Sequence, residues 1–443
     1  MHNLSDYWRM HHIQLLAPIT MSINNENNED PVKFLKEKDI LGLDKSGPNR
    51  PLSQTETEVN SNDETNKIIT PKRKNPLVAS FLTLLMLGLG HLYAGKIKKA
   101  IFIYLGLILI ALSIRFLAFN FYIFAFIIVT IILYYIYAIV DSYILVKRNT
   151  NLKQKKYDKW YLYLLIIILQ ATLLEIIPKS EFDRITPINF ATIPTTSMTP
   201  TLEVGDFLAI QRTKNIKQND VIIFKYPEDT NTLFIFRCIG LPGDNLTIKN
   251  NLAYINKKLI DNTEKIKFKY FITTTGNSLN ERFFSRHNIT DHYQIDDYTY
   301  QVFLTKEEAQ EFKKISAIKI NPNSSEESED YSSMLFQTLD SIWTVQNYGP
   351  IYIPKKGESI KLTPKNIKLY ESIIRSENTT VTNPIDKIDS YTFKSNYYFV
   401  LGDNRDNALD SRFWGFVKDN LIIGKGLYFN WAKNTNRIGL EIK

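Results

Sequence analysis

Residues Ala191 to Asp206, ATIPTTSMTPTLEVGD, crowd hydroxyl groups and prolines into one short segment. Ser and Thr favour turns through local hydrogen bonds, so the stretch also reads as a plain linker. A serine hydroxyl is a weak nucleophile at neutral pH and does acyl chemistry only beside a base. Residues that bear on this lie far downstream. In TLFIFRCIGLPGDNLTI, strand alternation puts Phe234, Phe236 and Cys238 on one face and Ile235, Arg237 and Ile239 on the other, ahead of a Leu-Pro-Gly-Asp turn. In YYFVLGDNRDNALDSRFWGFV, the charges Asp403, Arg405, Asp410 and Arg412 follow an apolar run closely. Their bland reading is a solvated charge run.

These residues need elements to hold them. The chain has 443 residues, enough for two or three folded units, and its 44% apolar content averages very unequal segments. Four apolar runs, Leu77–Ala94, Ile101–Ala118, Phe121–Val140 and Trp160–Ile177, each approach the roughly 20 residues that cross a bilayer. The chain is therefore expected to be an integral membrane protein. The net charge of +8 does not point to nucleic acid, because much of the basic excess flanks these runs, at Lys72 to Lys74, Lys96 to Lys99 and Lys147 to Lys159. Basic flanks mark the cytoplasmic side. This predicts a multi-pass protein of the inner (plasma) membrane, with everything after Pro178 outside and a short outer turn near Asn120. The first run contains Gly88, Gly90 and His91 and is expected to be re-entrant or interfacial.

The expected organisation is a disordered cytoplasmic tail over 1–75, a membrane module over 76–150, an anchor helix over 151–180 and a β domain over 181–443. The tail is polar and poor in aromatics. Its opening residues, with His2, His11 and His12, carry no signal-peptide pattern, and Met21 is an alternative start. After Pro178, runs such as DFLAIQR, DVIIFKYP, LFIFRCIG and IIGKGLYFNW, separated by polar turns, predict a mostly antiparallel β domain placed extracytoplasmically. Residues from about 265 to 395, which include the helical KEEAQEFKKI and the acidic NPNSSEESEDYSS, read as an α/β insertion. A single cysteine, Cys238, excludes an intrachain disulfide, and its mid-strand position reads as buried filler.

Taken together and in order, IPTTSMTPTLEVGDFLAI, DVIIFKYPEDTNTLFIFRCIGLPGD and YYFVLGDNRDNALDSRFWGFV resemble the boxes of bacterial type I signal peptidase, a serine endopeptidase. The resemblance spans about Trp160 to Trp431 and is loose through the insertion. The upstream KNPLVASFLTLLMLGLGHLYAG with IVDSYILVKR is similar to a small membrane module fused to some such peptidases. The resemblance implies cleavage of signal peptides from exported preproteins, with the bilayer and those peptides as partners and no metal or cofactor. It makes Ser197 the nucleophile, and the Ser197 backbone N–H with the Thr195 hydroxyl the oxyanion donors. Arg237, Asp403, Arg405, Asp410 and Arg412 become ion-paired scaffold.

At one position the pattern breaks. The family's base is a lysine, kept neutral by burial, immediately before the arginine that here is Arg237. That slot holds Phe236. The serine that bonds the family's lysine is here Ala408. Arg237 stays protonated and cannot substitute, and Lys225, His287, His292 and His91 are the other candidates. The alternative function is a non-catalytic pseudopeptidase that binds signal peptides or membrane proteins.

Overall fold

The computed structural model describes residues 74–149, 159–176, 185–260, 265–276, 278–322, 334–337, 343–378 and 388–443. Residues 1–73 of the tail expected over 1–75, most of the basic cluster after Lys147 and nearly all of the acidic NPNSSEESEDYSS lie outside these residues. The chain divides into two compact units, one drawn from residues 22–103 and 137–170, the other from 104–136 and 171–443.

In the first unit the apolar run expected over Leu77–Ala94 is not one helix. It forms helices Pro76–Leu85 and Leu89–Tyr93. The longer, at 10 residues, is roughly 15 Å long and cannot cross a hydrocarbon core of about 30 Å. The break sits at Gly88, whose φ of +95° is left-handed and open to glycine at little cost. Gly90 lets the pieces pack closely, because a Cβ there would lie 2.2 Å from the Ala79 carbonyl oxygen. His91 Nε2 lies 2.7 Å from Asp141 Oδ2, and the Lys99 ammonium binds the same carboxylate at 2.7 Å. Among the described residues two helices are long and apolar enough to cross a membrane, Ile97–Leu117 and Phe121–Arg148. The fourth expected run gives helix Trp160–Ile176, whose 17 residues sit at the short end of the spanning range.

The second unit is mostly antiparallel β. Its strands are β1 (Ile188–Thr192), β2 (Phe207–Arg212), β3 (Val221–Lys225), β4 (Leu233–Gly240), β5 (Asn245–Lys249), β6 (Leu252–Ile255), β7 (Lys258–Leu259), β8 (Phe268–Thr274), β9 (His292–Gln294), β10 (Thr299–Leu304), β11 (Ile318–Pro322), β12 (Tyr348–Tyr352), β13 (Ser359–Lys361), β14 (Ser390–Thr392), β15 (Tyr397–Leu401), β16 (Val417–Lys418) and β17 (Ile422–Trp431). The largest sheet has seven strands in the order β1-β2-β17-β3-β4-β15-β16. β4 lies between β3 and β15: Ile222 of β3 faces Phe236, and Leu401 of β15 faces Arg237.

Residues 265–322 build a separate four-stranded sheet, β11-β8-β10-β9, with its own apolar core around Ile272, Phe284, Val302 and Phe312. Helix Lys306–Lys313 packs there behind a capping box, in which the Thr305 hydroxyl accepts from the Glu308 backbone N–H and the Glu308 carboxylate accepts from the Thr305 N–H. Within the same unit the turn near Asn120 rests on the large sheet. Tyr428 donates to the Ala118 carbonyl at 2.9 Å, and Arg115 donates to Asn189 Oδ1 at 3.0 Å.

Candidate active site

The segment after β1 is closed at its base. The Gly205 N–H donates to the Ile193 carbonyl at 2.8 Å, and the Ile193 N–H donates to the Asp206 carbonyl at 2.9 Å. Inside this loop the Thr199 N–H donates to Thr196 O and the Leu202 N–H to Met198 O, both at 2.9 Å, so the chain turns tightly around Ser197. Met198 and Leu202 anchor the turn in the core. The loop after β15 holds it from the other side. Asn404 donates from its backbone N–H to the Ser197 carbonyl at 3.0 Å and from its side-chain amide to the Thr196 carbonyl at 3.2 Å. Among the described residues, neither the Ser197 hydroxyl, the Ser197 N–H nor the Thr195 hydroxyl has a hydrogen-bond partner.

The charged residues are buried and engaged. Arg237 grips Asp403 with two parallel bonds, Nε to Oδ1 at 2.8 Å and Nη2 to Oδ2 at 2.7 Å, and gives a third to the Asn219 carbonyl at 2.8 Å. Arg412 does the same to Asp410, with both bonds at 2.9 Å and both side chains fully buried. Asp410 Oδ2 also accepts from the Gly402 N–H at 3.0 Å, which pins the loop to the pair. Arg405 is used differently, donating to the backbone carbonyls of Gly402 and Asn251. Bidentate geometry and extra donors are what let buried ion pairs persist.

The remaining wall is hydrocarbon. Phe236 is buried with Phe234 and Phe224, ring centroids 5.8 Å and 6.3 Å away. Gly402 shows how close this wall comes to the Ser197 backbone. A Cβ there would meet Ala408 Cβ at 2.3 Å, the Ser197 carbonyl oxygen at 2.7 Å and Phe236 Cε1 at 3.5 Å. Phe236 and Ala408, more than 170 positions apart in sequence, thus come together at Gly402, beside the Ser197 backbone carbonyl. The chain belongs to the signal peptidase family, peptidase S26. Its match to that family, described as "Signal peptidase, peptidase S26", covers residues 160–316 and 346–431, more than half the chain. The family fixes it as a bacterial type I signal peptidase, a serine hydrolase.

Signal peptidase I of Buchnera aphidicola subsp. Baizongia pistaciae is 27% identical over 255 residues, covering 54% of this chain and 68% of that protein. The Aquifex aeolicus protein of the same name is 27% identical over 245 residues, covering 54% and 75%. That of Pseudomonas aeruginosa is 24% identical over 284 residues, covering 56% and 69%.

The other bases considered for this signal peptidase are engaged or distant in kind. Lys225 is exposed at the end of β3, opposite Leu233. His292 stacks on Phe284 at 3.7 Å and reaches Glu281 at 3.1 Å, and His287 sits at a tilt between Phe283 and Phe312. His91 belongs to the other unit, with Asp141. Cys238 is fully buried, and burial pushes its thiol up, which suits filler.

Sequence reasoning missed a polar cluster on the outer side of Ser197. Asp291, from the loop before β9, accepts from the Thr196 hydroxyl and from the side-chain amides of Asn407 at 3.3 Å and Asn404 at 3.4 Å. Behind it lies Lys267, whose buried ammonium is 3.4 Å from Glu308. Lys267 is sewn to the scaffold loop by two backbone bonds, its N–H to Asp403 O and its carbonyl to the Arg405 N–H, each 2.9 Å. Asn404 and Asn407 stood in a quoted box, but nothing in the sequence around Asp291 marked it.

Proposed function

We propose that this chain cleaves signal peptides from exported preproteins at the membrane, with Ser197 as the nucleophile. The observation that carries the reading is the turn around Ser197, fixed through both neighbouring carbonyls by Asn404 while the Ser197 hydroxyl, its N–H and the Thr195 hydroxyl stay unengaged. A preformed site needs those three groups in that state: one to attack, two to receive the oxyanion as it forms. The cleavage region of the signal peptide adds as a strand, small side chains entering shallow pockets. Ser197 Oγ bonds to the scissile carbonyl carbon, the amine leaves with a proton, and water then hydrolyses the acyl-enzyme. Arg237–Asp403 and Arg412–Asp410 hold the loop that holds the turn.

The basic clusters support a cytoplasmic face at Lys96 to Lys99, and a spanning Ile97–Leu117 helix then carries the Asn120 turn across. Since that turn packs on β1 and β17, the same argument supports an extracytoplasmic β domain. Protease added to outer-permeabilised cells should digest the β domain and spare residues 1–75; protection of the β domain contradicts this topology.

A second reading, a non-catalytic peptide binder, is favoured by one observation: the position of the family's base is a buried phenylalanine against an alanine. Ser197→Ala separates the two. For a peptidase it abolishes cleavage of a small-x-small preprotein by purified protein in detergent and leaves peptide binding, read by fluorescence anisotropy, nearly unchanged. For a binder it is silent in both assays, and robust cleavage that survives it refutes the serine mechanism.

A further inference from the structure

We infer that Asp291, contributed by the small sheet outside the family's boxes, is a positioning residue for Ser197. The inference deepens the reading of Ser197 as nucleophile and rests on it.

The Asp291 carboxylate collects the Thr196 hydroxyl and the amides of Asn404 and Asn407, and Asn407 Nδ2 also lies 3.4 Å from Thr196 Oγ1. Asn404 binds the carbonyls of Thr196 and Ser197, from its side-chain amide and its backbone N–H respectively. Asp291 therefore fixes Thr196 directly and orients the side chain of the group that fixes Ser197. A carboxylate suits this place because it only accepts, and three donors converge on it. Its own support comes from two elements. Lys267, joined to the scaffold loop, supplies positive charge, while His292 and Tyr293 on β9 face the same carboxylate. Glu308 takes up the Lys267 ammonium from the far side. The small sheet is thereby coupled to Ser197 through a partly buried series, Glu308 paired with Lys267, Lys267 acting on Asp291 by its charge, and Asp291 bonded to Thr196.

Only the ionised carboxylate accepts from all three donors, so the arrangement carries a pH signature. Burial is the largest influence on Asp291 and raises its pKa, against the lowering effects of Thr196, Lys267, Asn407 and His292. As pH falls through that raised value, protonation turns one acceptor oxygen into a donor and loosens the Thr196 clamp. The wild-type rate should fall with it, at a higher pH than an ordinary carboxyl group would give.

The test uses full-length protein in detergent, with Asp291→Ala and Asp291→Asn made in the wild-type chain and beside Phe236→Lys, Ala408→Ser. Asp291→Ala should lower kcat roughly 10- to 100-fold at little-changed KM in both backgrounds, as misplacement of a reacting group does. Asp291→Asn should erase the acid limb of the wild-type profile. In a chain that Ser197→Ala inactivates, a kcat within twofold of the parent, a change confined to KM, or an acid limb that persists in Asp291→Asn overturns the inference. If Ser197→Ala is silent, the nucleophile reading is what has failed, and amide hydrogen exchange decides the positioning. Faster exchange confined to the peptide holding residues 196–198 in Asp291→Ala upholds it, and unchanged exchange there overturns it.

Discussion

Two halves of the site meet at Gly402 and have been treated in opposite ways. On one side Arg237, Asp403, Asp410 and Arg412 keep every charge, buried and doubly bonded. On the other, Phe236 and Ala408 leave no polar atom in their side chains, and Phe224 and Phe234 close over the ring. The contrast follows from energetics. A buried charge stripped of its partner costs several kcal/mol, so scaffold pairs are hard to lose one member at a time. An amine and its hydroxyl partner can be exchanged for hydrocarbon of suitable shape at little net cost, because both ends of the hydrogen bond vanish together. Stability therefore protects the charged scaffold and is nearly indifferent to what fills the positions of Phe236 and Ala408.

That contrast can be broken by substitution, read as denaturant unfolding of the β domain in detergent. Asp410→Ala should be the most damaging, at roughly 3–5 kcal/mol, since it leaves the fully buried Arg412 guanidinium unpaired and frees the Gly402 N–H. Asp403→Asn, which keeps shape but removes charge from the Arg237 fork, should cost about 1.5–3 kcal/mol. Phe236→Leu trades one hydrocarbon for another and should cost less than about 1.5 kcal/mol. Ala408→Ser should fall within about 1 kcal/mol of the parent. If the two halves responded alike, the division between charged scaffold and hydrocarbon wall would lose its basis.

Much of this was legible in the sequence for physical reasons, and what was hidden was hidden for others. Alternation and turn residues marked β2, β3, β4 and the β5–β6 hairpin, and the Leu-Pro-Gly-Asp turn has Gly243 at φ +95°, with Asp244 accepting from the Leu241 N–H at 2.9 Å. The glycines of the first apolar run point to a break in a re-entrant or interfacial segment, and the helix breaks at Gly88, which fits either placement. The spacing of the family's boxes made Ser197, Phe236 and Ala408 readable as one group. The sheet order was not legible, since β17 lies between β2 and β3 through contacts spanning some two hundred positions. Two of the bonds Arg405 makes go to the Gly402 and Asn251 backbone carbonyls, which leave no mark in a sequence. Asp291 and Lys267 were hidden for the same reason: their meaning comes from the fold that brings the small sheet against Thr196.

We propose that the nucleophile half of this signal peptidase is intact, with Ser197 unengaged, and that hydrocarbon fills the half where the family's base would stand. The most direct measurement compares cleavage of a small-x-small preprotein, in detergent, by the wild-type chain, Phe236→Lys, and Phe236→Lys with Ala408→Ser. The single variant buries an ammonium beside a methyl group and should gain little. The double variant, which restores both the amine and its hydroxyl partner, should exceed the wild type by roughly 10²- to 10⁴-fold, the usual worth of a general base. Equal rates for wild type and double variant, in protein that remains folded, would contradict it.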